Sequence, residues 1–484
     1  MAEKKPAERD ALLGIGVKKA QDFVEWYSQV VLKAELADYA PVKGFMVIRP
    51  RGYAVWENIQ AHFNQCIKAL GVQNAYFPLL IPESFFRREA EHAQGFAPEL
   101  AWIEKKEGEE RVAIRPTSET IMYDSYAKWI RSYRDLPLRI NQWCNVLRWE
   151  VSQTKIFLRT REFLWQEGHC VYESKEDCDR EVQLMLEEYR KLCEDVLAIP
   201  VLTGYKSKAE TFAGALYTTT LEALMPDGKA LQLGTSHNLG QGFAKAFGIE
   251  FLGRDEEKHV PWQSSWGFST RLIGALVMVH GDDKGLILPP RIASVKAVVV
   301  PIVFDKGREA VLAKARELAQ ALSKAGIACH LDDRDEYSAG WKFNEWELKG
   351  VPLRVEVGPK DVEKKQCVLV RRDTGEKAFV KETDLVQEAG RLLDAVQAGL
   401  LARAKKFRDE NTVEAKSYAD FQKAIEARKL VKAFFCEQEA CEKKIKEETT
   451  ATSRCIPFNQ SGAGGKCVKC GSPAKRWAYF AKNY

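Results

Sequence analysis

The chain contains no run of about 18 apolar residues, so a membrane-spanning helix is not expected. Its first ten residues, MAEKKPAERD, are charged and hold no apolar core. That excludes a secretory leader there and points to a cytoplasmic protein. Without a leader, twelve cysteines do not read as a disulfide framework, because a reducing compartment keeps thiols free. There is no internal repeat and no long low-complexity tract, so repeat architectures are set aside.

What is present is ordinary globular material. The 484 residues are 45% hydrophobic and 29% charged, enough for a sizeable core and roughly three domains. The net charge of +5 is unevenly spread: residues 403–484 carry 18 lysines and arginines against 10 acidic residues, which leaves the remainder slightly acidic. A basic end on a near-neutral body suits an anionic partner such as nucleic acid, although a solvated basic helix would give the same count.

Five cysteines crowd between positions 436 and 470, while Cys66, Cys144, Cys170, Cys178, Cys193, Cys329 and Cys367 are scattered singly as packing residues. Cys436-x4-Cys441 and Cys467-x2-Cys470 are two close pairs 25 residues apart. Each short turn can direct two thiolates at one ion, so the spacing favours a structural Zn²⁺ over four unliganded thiols. Four sulfur ligands leave no open position for catalysis, and Cys455, lacking a close partner, reads as a spectator. The neighbouring SGAGGKC is not a phosphate loop: its glycines are misplaced and Cys467 stands where a hydroxyl is required.

Along the chain, residues 17–32 have an amphipathic helical period, and YAVWENIQAHFNQCIKAL forms a second helix closed by Gly71. NAYFPLLIP reads as a strand and RVAIRPTSETIMYDSYAKWI as strand, turn and helix. PLRINQWCNVLRWE and EFLWQEGHCVYE read as long antiparallel strands flanking the loop VSQTKIFLRTR. KALQLGTSHNLG adds a strand, and WGFSTRLIGALVMVHGD a strand passing into a helix. After the paired prolines of GLILPPRIAS the pattern alternates β-α-β-α-β, with helices near 307–325, 338–349 and 382–405.

The informative stretch is LRWEVSQTKIFLRTREFLWQEGH, residues 147–169, where arginines and glutamates are interleaved with aromatic rings without a helical period. Arg148, Glu150, Arg159, Arg161 and Phe163, together with RPTSET upstream and GFSTR downstream, form one constellation. Arginines suit bidentate binding of phosphate and carboxylate, and a ring can sandwich a purine. Taken singly, Arg159 or Arg161 reads as a surface charge, Thr117 as a turn hydroxyl, and Trp165 or Phe212 as core.

RWE…FLRTREFLWQEGH resembles the second signature motif of class II aminoacyl-tRNA synthetases, GFSTRLIGALVMVHGD the third, and NAYFPLLIP the first, with Pro78 on the dimer-forming strand. The wording RPTSE, FLWQEGH, LGTSHNLGQ and HGDDKGLILPPR is similar to prolyl-tRNA synthetases of the archaeal and eukaryotic-like type. The resemblance implies an α+β catalytic domain with an antiparallel sheet at 1–285. An α/β anticodon-binding domain at 286–405 and a small α+β zinc-binding-like domain at 406–484 would follow. It implies a homodimer that attaches L-proline to tRNA(Pro) through prolyl-adenylate, using ATP and Mg²⁺.

Carried over by position, Arg148 would touch the α-phosphate and the proline carboxylate, and Glu150 the adenosine side. Arg159 and Thr160 would meet the nucleotide, with Phe163 beneath adenine. Gln232 and Thr235 would bind ATP or its magnesium, and Ser269 and Arg271 would hold the nucleotide from the other side. Thr117 and Glu119 would hold the proline ammonium, while His237, Trp165 and Phe212 would enclose the ring.

Only 109 residues separate Arg161 from Arg271, too few for the editing insertion of bacterial-type prolyl enzymes. Seven histidines, with no cysteine–histidine set in view, disfavour a threonyl enzyme. An apolar pocket sized for proline discriminates small analogues weakly, by roughly 10- to 200-fold per methylene. Arg334, Lys342 and Glu347 are candidates for reading anticodon guanines, though DDRDEYSAGWKFNEWELKG would equally suit a solvated helix. The aromatic end RWAYFAKNY is expected to dock on the body. A catalytically silent RNA-binding relative would show a broken motif, yet Arg148, Glu150 and Arg271 are all present.

Overall fold

The first helix starts where a side chain can satisfy its orphan amides. Asp22 accepts from the backbone N–H groups of Val24 and Glu25 at 3.1 and 3.0 Å, so α1 runs Phe23–Lys33 and the periodic residues before it form turns. The computed structural model describes residues 14–90, 99–460 and 464–484. The charged N-terminal decapeptide and residues 461–463 of SGAGGKC lie outside the described residues. Helix α2 (Pro50–Ala69) ends at Gly71, whose φ of +81° is the left-handed value that glycine adopts without strain.

NAYFPLLIP does not form one strand. It splits into β1 (Gln73–Asn74) and β2 (Leu80–Pro82), because Pro78 withholds a ladder donor between them. Strand β3 (Val112–Ile114) pairs with β2, and α3 (Glu119–Trp129) follows. The long hairpin is observed as β4 (Leu138–Leu147) and β5 (Glu162–Tyr172), antiparallel over ten residue pairs. Then come α4 (Lys175–Lys191), β6 (Leu202–Tyr205), β7 (Tyr217–Leu224), β8 (Lys229–Gly240), β9 (Trp262–Ser269) and α5 (Arg271–His280). Between Arg161 and Arg271 the chain forms strands of this sheet, helices, a loop at 206–216 and a small separate hairpin at 251–259.

Gly168 is required on β5. A Cβ there would lie 2.2 Å from the Trp266 indole, whose burial in the main core depends on that approach.

The second unit is a five-stranded sheet with its own aliphatic core. It holds β10 (Ala297–Pro301), α6 (Arg308–Lys324), β11 (Cys329–Leu331), α7 (Ala339–Leu348), β12 (Leu353–Val357), β13 (Gln366–Arg371) and β14 (Lys377–Lys381). The order is β11-β10-β12-β13-β14; the first three strands are parallel, which accounts for the continuous hydrophobic run of β10. Helix α8 (Leu385–Glu410) packs Leu385, Ala389 and Leu392 on this core, buries Val396 and Leu400 against Ala198 and Ile287, and then runs on past residue 405.

The tail contains β15 (Thr412–Glu414), α9 (Tyr418–Glu426), β16 (Leu430–Phe435), α10 (Glu439–Thr449), β17 (Thr452–Pro457) and β18 (Arg476–Asn483). Its strands extend the sheet that holds the β4–β5 hairpin, giving eleven strands in the order β15-β16-β18-β17-β6-β7-β8-β9-β5-β4-β1. The seam needs Gly204 on β6, where a Cβ would stand 2.3 Å from the Ile456 carbonyl oxygen.

The C-terminal end docks as expected. Lys482 and Asn483 pair with Lys229 and Ala230 on β8, and Tyr484 Oη donates to Asp227 Oδ2 at 2.8 Å. Lys155 and Lys229 stand 5.4 and 5.0 Å from the centre of the Tyr484 ring, cation–π contacts that fasten the end to the β4–β5 loop and to β8.

Candidate functional site: a cleft on the antiparallel sheet

Side chains on a strand alternate between faces, so β5 presents Phe163, Trp165, Glu167 and His169 to one side. On β9 the same face carries Ser265, Gly267 and Ser269. Strand β8 breaks its own parity: Gln232 faces this side, and so do Thr235 and His237, which strict alternation forbids. A bulge between Gln232 and Gly234 inserts the extra residue that switches the faces. With Thr117 and Glu119 at the start of α3, Arg148 and Glu150 after β4, Phe212 from the β6–β7 loop and Arg271 opening α5, these residues line one cleft of about 390 Å³.

Arg159 and Thr160 lie outside that lining, because the loop turns back through a bridge between Lys155 and Arg159. Arg159 is exposed, and the buried Thr160 hydroxyl donates to the Glu162 carbonyl at 2.6 Å. Arg161 is also turned away: its Nε donates to the Val151 carbonyl and its guanidinium stacks 4.4 Å from the centre of the Trp149 ring.

The two cleft arginines are held by carbonyls, not by carboxylates. Arg148 Nε donates to Pro116 O at 3.3 Å, with its guanidinium carbon 5.3 Å from the Phe163 ring centre and 5.5 Å from that of Trp165. Arg271 donates from Nε to Leu158 O at 3.2 Å and from Nη1 to Gln232 O at 3.1 Å. Burial, then the nearby Arg148, brings Arg271 down to about 10, and burial lowers Arg148 too. Two neighbouring guanidiniums, each disfavoured where it sits, make a place that attracts an anion.

At the other end, the sequence reading overlooked Glu167 and His169, although both stand in the quoted motif. Burial opposes charging either one, yet their 3.2 Å contact outweighs it, lowering Glu167 and raising His169. Glu167 Oε1 also accepts from Ser118 Oγ at 2.5 Å, Gln142 Nε2 at 3.2 Å and Cys144 Sγ at 3.3 Å. Glu119 is buried beside this pair and accepts a hydrogen bond from the Thr117 hydroxyl. Acceptor, Glu, and a nearby acid–histidine pair were separable in sequence only by the strand period, which places 167 and 169 on the face of Trp165.

His237 contrasts with His169. Burial, then the charge of His169, pulls it down to about 3, so it is neutral at pH 7. Its Nδ1 lies 2.8 Å from Thr218 Oγ1, which also accepts from the Phe212 backbone N–H at 3.0 Å. The Phe212 and His237 rings are 5.0 Å apart, forming an apolar wall.

In the tail, the Sγ atoms of Cys436, Cys441, Cys467 and Cys470 lie within 4.8 Å of one another, and those of Cys436 and Cys470 are 3.8 Å apart. A tetrahedral ion with bonds of about 2.3 Å needs sulfurs about 3.8 Å apart, so the donor set fits zinc. Ser472, through its hydroxyl and backbone, holds the Cys470 thiol down at about 6. Cys455 is fully buried among core residues, away from this set.

Arg334, Lys342 and Glu347 are engaged internally. Arg334 binds Asp332 at 2.7 Å and Glu345; Lys342 Nζ donates to Asp332 O at 3.1 Å; Glu347 accepts from Arg354 at 3.1 Å. Among the described residues no helix is long and apolar enough to cross a membrane.

Comparison with known proteins agrees with this geometry. Residues 102–280 match the tRNA synthetase class II core domain (G, H, P, S and T), residues 296–391 the anticodon binding domain, and residues 418–484 the prolyl-tRNA synthetase C-terminal domain. A proline–tRNA ligase of Natranaerobius thermophilus is 52% identical over 472 residues, covering 96% of this chain and 97% of its own. That of Rubrobacter xylanophilus is 54% identical over 471 residues, covering 96% and 98%. That of Lachnospira eligens is 49% identical over 482 residues, covering 99% and 100%. With three domain matches in order and such identity over nearly the whole length, the chain belongs to the prolyl-tRNA synthetases of class II.

Proposed function

We propose that the cleft is where this synthetase activates proline, and that its two ends divide the work. The enzyme is a proline–tRNA ligase: it forms prolyl-adenylate from proline and ATP, with Mg²⁺, and passes the prolyl group to tRNA. The observation that carries the assignment is the pairing, in one cleft, of two carbonyl-held arginines with a buried acid cluster.

Glu119 and Thr117 take the secondary ammonium of proline. Glu167 is already saturated by Ser118, Gln142, Cys144 and His169, which suits it to orient the cluster and makes the Glu119–Glu167–His169 trio a poor metal site. Trp165, Phe212 and neutral His237 enclose the ring. Arg148 holds the carboxylate of proline against the α-phosphorus, and Arg271 and Ser269 hold the phosphates from the other side. Phe163 and Glu150 meet the adenosine. Gln232 and Thr235 offer the neutral oxygens that Mg²⁺ prefers, and the ion, when bound, spreads the charge of the polyphosphate. Arg159 and Thr160 join the nucleotide if their loop turns inward on binding.

The carboxylate is ionised and needs no general base, so positioning and electrostatic stabilisation of the in-line displacement supply the catalysis. A ribose hydroxyl of the terminal adenosine of tRNA(Pro) then takes the prolyl group.

In this reading the units run 1–285, 286–405 and 406–484, with α8 crossing the second boundary. The four tail thiolates hold a structural zinc that closes the 436–470 knuckle. The protein is a cytoplasmic homodimer; Tyr76, Leu80 and Trp129, 72%, 41% and 48% exposed beside β2, support an interface there.

The test is amino-acid-dependent ATP–pyrophosphate exchange with all twenty amino acids. Exchange driven by proline and lost in Arg148→Ala is expected. Exchange driven by another amino acid would overturn the roles of Thr117, Glu119 and His237.

A further inference from the structure

The wall of the cleft at its amino-acid end is a loop, residues 206–216, that carries Glu210 and Phe212. Its outer half is exposed or half-buried, but its first two residues, Lys206 and Ser207, are 7% and 2% exposed. Lys206 is held by the neighbouring strand, but the partner that holds the Ser207 side chain comes from the tail, 235 residues away in the chain.

Ser207 Oγ donates to Glu442 Oε1 at 2.8 Å, and both side chains are buried. Glu442 lies on α10 directly after Cys441, one of the four clustered thiols. Ser207 in turn starts the short turn of the loop: its carbonyl accepts from the Glu210 N–H at 3.1 Å and the Thr211 hydroxyl at 2.9 Å. Beside it, Lys206 Nζ donates to Glu222 Oε1 at 2.8 Å, and Arg454 of β17 clamps the same carboxylate at 2.9–3.1 Å. The chain of contacts continues from Phe212 through Thr218 to His237.

We propose that Glu442 is a positioning residue for proline binding: through Ser207 it holds the loop that closes Phe212 and Glu210 over the amino-acid end of the cleft. Lys206, Glu222 and Arg454 are the fixed point on which that loop is hung. The proposal rests on assigning this end of the cleft to proline.

The experiment compares Glu442→Ala, Glu442→Gln, Ser207→Ala and the double variant E442A/S207A by ATP–pyrophosphate exchange, with the exposed tail variant Glu414→Gln as control. Loss of a hydrogen bond to a charged group should raise the KM for proline about tenfold. The KM for ATP and kcat should stay within about twofold of the parent. E442Q, whose amide oxygen still accepts, should fall between parent and E442A. The double variant should be no worse than either single one, since both remove the same bond. Equal changes in both KM values, additive losses, or an unchanged KM for proline would overturn the proposal. Tryptic cleavage at Lys208 gives a readout independent of substrate, and it should be faster in E442A. If the parent shows no proline-dependent exchange, the assignment of the cleft falls; cleavage at Lys208 then decides the clamp alone, and an unchanged rate overturns it.

Discussion

Residues 147–169 and 332–350 look alike as sequence. Both interleave basic residues, carboxylates and large rings, and both suggest themselves as surfaces for anionic ligands. In the structure they are opposites. Around β5 the cleft arginines Arg148 and Arg271 donate to carbonyl oxygens, Arg148 also lying over the Phe163 and Trp165 rings, and both line an open space. Around α7, Arg334 is chelated by Asp332 and Glu345, and Lys349 by Glu345 and Glu35. Charge that is neutralised by near neighbours builds a unit; charge that is held by neutral groups remains available to a substrate.

That contrast can be broken at its strongest point first. Arg148→Ala should lower proline-dependent exchange about 10²- to 10³-fold, the usual cost of removing one preorganised donor to developing charge, with an unchanged melting temperature. Arg334→Ala should leave exchange within about twofold, since nothing it touches lies in the cleft. A large loss of exchange in Arg334→Ala would erase the distinction between the two stretches.

Glu119→Gln comes next. If Glu119 holds the proline ammonium as proposed, the change should raise the KM for proline by about 10- to 100-fold, with a smaller change for ATP, read from exchange at varied concentrations of each.

The pH dependence of folding sharpens the contrast within the cleft. His169 is raised, so the stability it contributes is fully present below its unfolded value, near 6.5, and is lost as pH rises through its folded value. Glu167 is lowered, so its share is present above the usual carboxylate range and is lost as pH falls through its folded value. Thermal melts of the parent and of Glu167→Gln should therefore differ most between about pH 5 and 6.5, and the difference should narrow on the alkaline side to the part that Ser118, Gln142 and Cys144 supply. Parallel curves across that range would mean that the pair is not ionic.

The smallest expected effect is on stability alone. Arg334 is about a third exposed, so losing its bonds to Asp332 and Glu345 should cost about 1 kcal/mol in a denaturant titration.

Much of this was legible beforehand, and for local reasons. The β4–β5 hairpin followed from β-rich segments either side of a polar loop, the end of α2 from Gly71, and the knuckle from thiol spacing. The overlooked features share another cause. Gln232 and Thr235 share a face only because of a bulge, and a bulge is a property of the strand pair. Glu167 and His169 show no role in the sequence, because the partners of Glu167, Ser118 and Gln142, lie 49 and 25 residues away and Tyr123, which meets His169, lies 46 away. Arg161 was grouped with the ligand-binding arginines because a sequence does not show which way a loop turns.

By itself, then, the sequence determined the elements, the family and the chemical types in the cleft, since strand period, helix caps, turn residues and motif wording all act over a few residues. Only the tertiary structure decided which charges remain available, that the tail strands complete the catalytic sheet, and that Glu442 reaches Ser207. Those outcomes depend on burial and on partners distant in the chain, and burial is what makes a paired charge structural and a carbonyl-held one ready for a ligand.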